Sequence, residues 1–76
     1  MALYEGDAYV QLVEKLRRAR EELGITEEQA AAAFGRSETF IASVEEGTRR
    51  IDPVELCRFA VVYQKPVSWF LPDTES

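Results

Sequence analysis

Chemistry in this chain has to come from charge. It contains no histidine and a single cysteine, Cys57. The usual nucleophile–base pairs of covalent catalysis therefore cannot be built. A lone thiol also excludes an intrachain disulfide and a multi-cysteine zinc site. The fourteen acids scatter over predicted helix faces, so no catalytic residue, metal site or cofactor is expected. The bases are more informative. Lys15, Arg17, Arg18 and Arg20 fall in one stretch, and Arg36, Arg49 and Arg50 flank a short predicted helix. Cations so placed are the groups that neutralise nucleic-acid phosphates. The net charge of −5 opposes this, so any affinity for nucleic acid must come from a local basic patch.

The elements that position these residues are clearest in I-T-E-E-Q-A-A-A-A-F-G-R-S-E-T-F-I-A-S-V-E-E-G, residues 25–47. Thr26 with Gln29 three residues on has the capping-box spacing. Helix formers run to Phe34, and Gly35 supplies a left-handed stop. Ser37 caps a second helix that runs to Glu46 and ends at Gly47. Two short helices joined by a turn of three or four residues form a helix-turn-helix, whose second helix is offered to the major groove. The same stretch is acidic. From Thr26 to Thr48 it holds Glu27, Glu28, Glu38, Glu45 and Glu46 against Arg36 alone, a net of −4.

The rest of the chain reads as all-helical. Leu12, Leu16, Ala19 and Leu23 recur at +4, +7 and +11, which predicts a buried stripe on a helix from Asp7 to Leu23. Asp52, Pro53 and Glu55 form a strong start signal for a fourth helix. Leu56, Phe59, Ala60 and Tyr63 give its inner face. A last short helix runs from Val67 to Leu71 and stops at Pro72. Seventy-six residues make one domain, and 46% hydrophobic residues are enough for a folded core. Residues 1–6 and the tail 72–76 are expected to be flexible. No apolar stretch approaches about 18 residues, and no signal peptide is read, so a cytoplasmic protein with no membrane partner is expected.

Three segments carry a family resemblance. They are L-R-R-A-R-E-E-L-G-I-T from Leu16, A-F-G-R-S from Ala33, and F-I-A-S-V-E-E-G-T-R-R from Phe40, followed by a helix ending F-A-V-V-Y. Over residues 16–71 the chain resembles the Xre/Cro/repressor family, the lambda-repressor-like DNA-binding domains. The stretch from Arg49 to Leu71 looks most like a subgroup associated with repressor-cleaving metallopeptidases. The resemblance implies a compact five-helix bundle and a symmetric homodimer on double-stranded DNA. It implies that Glu38, Thr39, Ala42 and Ser43 face bases, and that Arg20 and Glu45 form a structural salt bridge. Arg36, Ser37, Arg49 and Arg50 are the expected phosphate contacts.

Two positions depart from the family. Glu27 stands where a glutamine usually meets a phosphate, and Glu46 where Arg, Lys or Asn is common. Phe40 is expected to pack in the core, and Cys57 to be a small buried hydrophobe. Tyr63, Trp69, Phe70 and Leu71 crowd the C-terminal end and are expected at a dimer interface. The leading expectation is a sequence-specific, repressor-type transcription regulator of modest DNA affinity. The alternative is a protein-interaction module, antitoxin-like or protease-associated, which kept the scaffold and lost DNA reading.

Overall fold

Each helix starts and stops where the local chemistry of its ends dictates. The computed structural model describes residues 6–71. The expectations for residues 1–5 and 72–76 lie outside that range. The helices are α1 (Asp7–Leu23), α2 (Glu27–Phe34), α3 (Glu38–Glu46), α4 (Pro53–Val62) and α5 (Val67–Phe70). The described residues contain no strand.

Thr26 and Gln29 close a capping box on α2, with bonds of 2.8 and 3.0 Å. Asp52 and Glu55 do the same on α4, and Pro53 opens that helix at a position where a missing N–H costs nothing. Gly35 takes φ 84° after α2, and Gly47 takes φ 82° after α3. The tight turn at Gly35 leaves α2 and α3 in direct contact. The last helix ends one residue earlier than its composition suggests, because Leu71 is already extended ahead of Pro72.

Packing runs around a closed circuit. α1 lies on α3, α3 on α2, α2 on α4, α4 on α5, and α5 returns to α1. The space inside is filled by Leu12, Leu16 and Ala19 of α1, Ala30 and Phe34 of α2, Ile41 and Val44 of α3, and Leu56 and Phe59 of α4. Phe59 is the hub of an aromatic cluster. Its ring centroid lies 4.4 Å from Phe34, 5.5 Å from Tyr63 and 6.1 Å from Phe40. Burial pushes the Tyr63 phenol well above its usual range, so it stays neutral.

Three expectations need correction. Tyr63 and Phe70 belong to this chain's own core, so they are not the surface left for a partner. Cys57 is exposed rather than buried. The α4 stripe of Leu56, Phe59, Ala60 and Tyr63 already fills the inner face. Cys57 shares the outer one with Val54 and Val61, which are 69% and 78% exposed.

Candidate nucleic-acid interface

α3 is held by one face and offers the other. Phe40, Ile41, Val44 and Glu45 are buried, while Glu38, Thr39 and Glu46 are exposed. Ala42 and Ser43 are half-buried between them. Positions 38, 39, 42 and 43 are neighbours at helical spacing, so the four expected base-facing residues share one surface. Ser37 is occupied at the helix start, where its Oγ accepts from the Phe40 N–H at 3.2 Å. The Ser43 carbonyl accepts from the Thr48 and Arg49 N–H groups, which turns the chain back beside the helix.

The brace beneath α3 is ionic. Arg20 donates from Nε and Nη2 to the two carboxylate oxygens of Glu45, at 2.7 and 3.0 Å. Its Nη1 also donates to the Ile25 carbonyl at 2.9 Å. One guanidinium therefore ties together α1, the α1–α2 turn and α3. The side chain of Glu45 is 5% exposed and that of Arg20 13%. Arg17 adds a weaker bond to the Glu45 carbonyl at 3.4 Å. Lys15 turns the other way and donates to the Leu71 carbonyl at 3.1 Å.

The expected phosphate contacts sit at the rim of α3, and they are engaged. The Arg36 and Arg49 guanidiniums lie 4.1 and 5.0 Å from the centroid of the Phe40 ring. Both also approach one oxygen of Glu55, Arg49 at 3.0 Å and Arg36 at 3.8 Å. Arg50 lies over the Tyr9 ring, 4.2 Å from its centroid. The Tyr9 hydroxyl donates to the Arg49 carbonyl and accepts from the Ile51 N–H, both at 3.3 Å. The basic loop is therefore tied to the start of α1.

On the other side of α3 the field reverses. Glu21, Glu27, Glu38 and Glu46, with Arg17 among them, surround the Arg20–Glu45 pair in an open depression. Desolvation, then the neighbouring Glu45 charge, holds the Glu27 carboxyl above the usual range. A raised carboxyl pKa opposes folding wherever the group is ionised, and the cost fades as pH falls through the usual carboxylate range. Glu27→Gln is therefore expected to stabilise the fold near neutral pH. The difference from wild type should close below about pH 4. Thermal melts across pH would show this, and a variant less stable at pH 7 would contradict it.

Sequence reasoning missed two participants. Glu55 was visible as a capping residue, but its second oxygen serves arginines 6 and 19 positions away. Arg58 donates to the Phe34 carbonyl at 2.7 Å and so closes the end of α2. At the C-terminal end, Trp69 is half-buried with Lys65 over its ring at 4.6 Å, and Leu71 is exposed.

A helix-turn-helix on a closed helical circuit is the class this fold and surface define. The sequence pattern of the helix-turn-helix domain matches residues 11–67, and the chain belongs to that family. The match agrees with the resemblance to the Xre/Cro/repressor domains, and its general class is that of DNA-binding regulators. Among solved structures, the chain is similar to the restriction-modification controller protein C.AhdI from Aeromonas hydrophila. The TM-score is 0.76 at 22% identity, covering 83% of this chain and 96% of that one, a likeness of fold. No curated protein matches the chain in sequence. No helix among the described residues is long and apolar enough to cross a membrane.

Proposed function

We infer that the chain is a sequence-specific transcription regulator of repressor type, acting as a homodimer on operator DNA. The observation that carries this is α3 itself, which shows Glu38, Thr39, Ala42 and Ser43 on one outer surface over an ion-paired base. In the major groove, Glu38 would accept from a cytosine amino group, and Ala42 would touch a thymine methyl. Thr39 and Ser43 would reach bases at short range. Arg36, Ser37, Arg49 and Arg50 would meet phosphates, the serine through the start of α3. The regulatory role takes support from the controller protein that shares the fold. The net −4 over residues 26–48 makes the affinity modest, and the arginine–phosphate contacts make it weaken steeply with salt.

A second copy would meet apolar residues that are exposed or, at Trp69, half-buried. Trp69 and Leu71 remain available at the C-terminal end, and Val54 and Val61 stand out on α4. The rival reading, a protein-interaction module, is favoured by the acidic depression beside α3. Selection from a random duplex DNA pool, at low and at physiological salt, separates the two. The expected result is a palindromic motif with half-sites about one helical turn apart. No enrichment at either salt would remove the DNA reading and leave the protein partner.

A further inference from the structure

Glu55 uses its carboxylate twice. Oε1 accepts from the Asp52 N–H at 3.0 Å and completes the α4 capping box. Oε2 meets Arg49 at 3.0 Å and Arg36 at 3.8 Å. One oxygen thus holds two cations that bracket α3 in sequence, one from the turn before it and one from the loop after it. To a guanidinium, a carboxylate and a phosphate are the same kind of partner, since both offer anionic oxygens to its fork of donors.

We propose that Glu55 is an internal stand-in for a DNA phosphate, competing with the duplex for Arg36 and Arg49 and so setting the affinity of the interface. This rests on the DNA-binding reading above. Differences in anchoring and exposure favour competition over simple ordering of the arginines. The Glu55 side chain is 15% exposed and fastened by its cap, so it does not withdraw. The arginine side chains are 43% and 42% exposed, so they have room to turn outward. Their stacking on Phe40 keeps them beside α3 without help from the carboxylate. With Glu55 charged, the trio presents a net +1 to DNA. With Glu55 neutral it presents +2.

Glu55→Gln tests this cleanly. Glutamine keeps an acceptor for the Asp52 N–H, as capping boxes allow, and removes only the charge. Wild type, Glu55→Gln, the double variant Arg36→Ala/Arg49→Ala, and the triple variant would be titrated with a random-sequence duplex. Salt would be varied from about 50 to about 200 mM. Circular dichroism would confirm that each form is folded. Glu55→Gln is expected to bind about tenfold tighter at the lowest salt, with a log K against log salt slope steeper by about one. The gain is expected to vanish when both arginines are alanine. Binding by wild type with an unchanged or weaker Glu55→Gln would overturn the competition and leave the DNA reading standing. Binding by none of the folded forms would overturn both.

Discussion

Replacing Glu45 with alanine should destabilise the protein by about 3 kcal/mol, the lower end of the range for breaking a buried ion pair. The carboxylate accepts two bonds from Arg20 at 2.7 and 3.0 Å, and its loss strands a largely enclosed guanidinium. The lower end applies because Arg20 keeps its bond to the Ile25 carbonyl and retains some contact with solvent. In a domain of this length, the melting temperature should fall by roughly 12–24 °C. Removing both partners should hurt less than the sum of the single losses, because no charge is then left unpaired. A thermal double-mutant cycle with Arg20→Met would measure this. A Glu45→Ala loss under about 1 kcal/mol would place the pair with ordinary surface bridges and deny it a role in holding α3.

Phe59→Ala should be at least as damaging, at about 3–5 kcal/mol. Phe59 is 1% exposed and touches aromatic rings from α2 and α3 as well as Tyr63 of its own helix end. Deleting it removes the partner around which three elements meet, and the neighbouring rings cannot all collapse into the gap. The whole fold is expected to be stable by roughly 4–11 kcal/mol, so this one truncation consumes a large share. Urea unfolding followed by tryptophan fluorescence would report it through Trp69. A midpoint within error of wild type would show that α1, α3 and α5 suffice to hold the core.

The parts of this fold that were legible in the sequence are the local ones. Thr26 with Gln29, Ser37, and Asp52 with Glu55 each satisfy a backbone donor within three residues, so their helix starts follow from spacing alone. Gly24, Gly35 and Gly47 mark the helix ends for the same reason, since each takes the left-handed turn that glycine favours. The outer face of α4 could also have been read. Val54, Cys57 and Val61 fall at +3 and +7, a second apolar stripe that the inner stripe of Leu56 and Phe59 obscured. The double use of Glu55 had no such signal, because a residue's second partner depends on how distant turns come together. The C-terminal aromatic cluster misled for a related reason. Composition gives the number of large side chains near one end, and only the packing of α5 between α4 and α1 decides which are enclosed.

The division of α3 between an inner and an outer face separates two kinds of evolutionary change. Phe40, Ile41, Val44 and Glu45 answer to the core, where a substitution is felt by every neighbouring helix. Glu38, Thr39 and Glu46 are exposed, and positions of this kind are typically exchanged for about 0.5 kcal/mol or less. On the DNA reading proposed above, target preference can therefore drift one residue at a time on an unchanged chassis. Under that reading, a duplicated copy acquires a new operator without first acquiring a new fold.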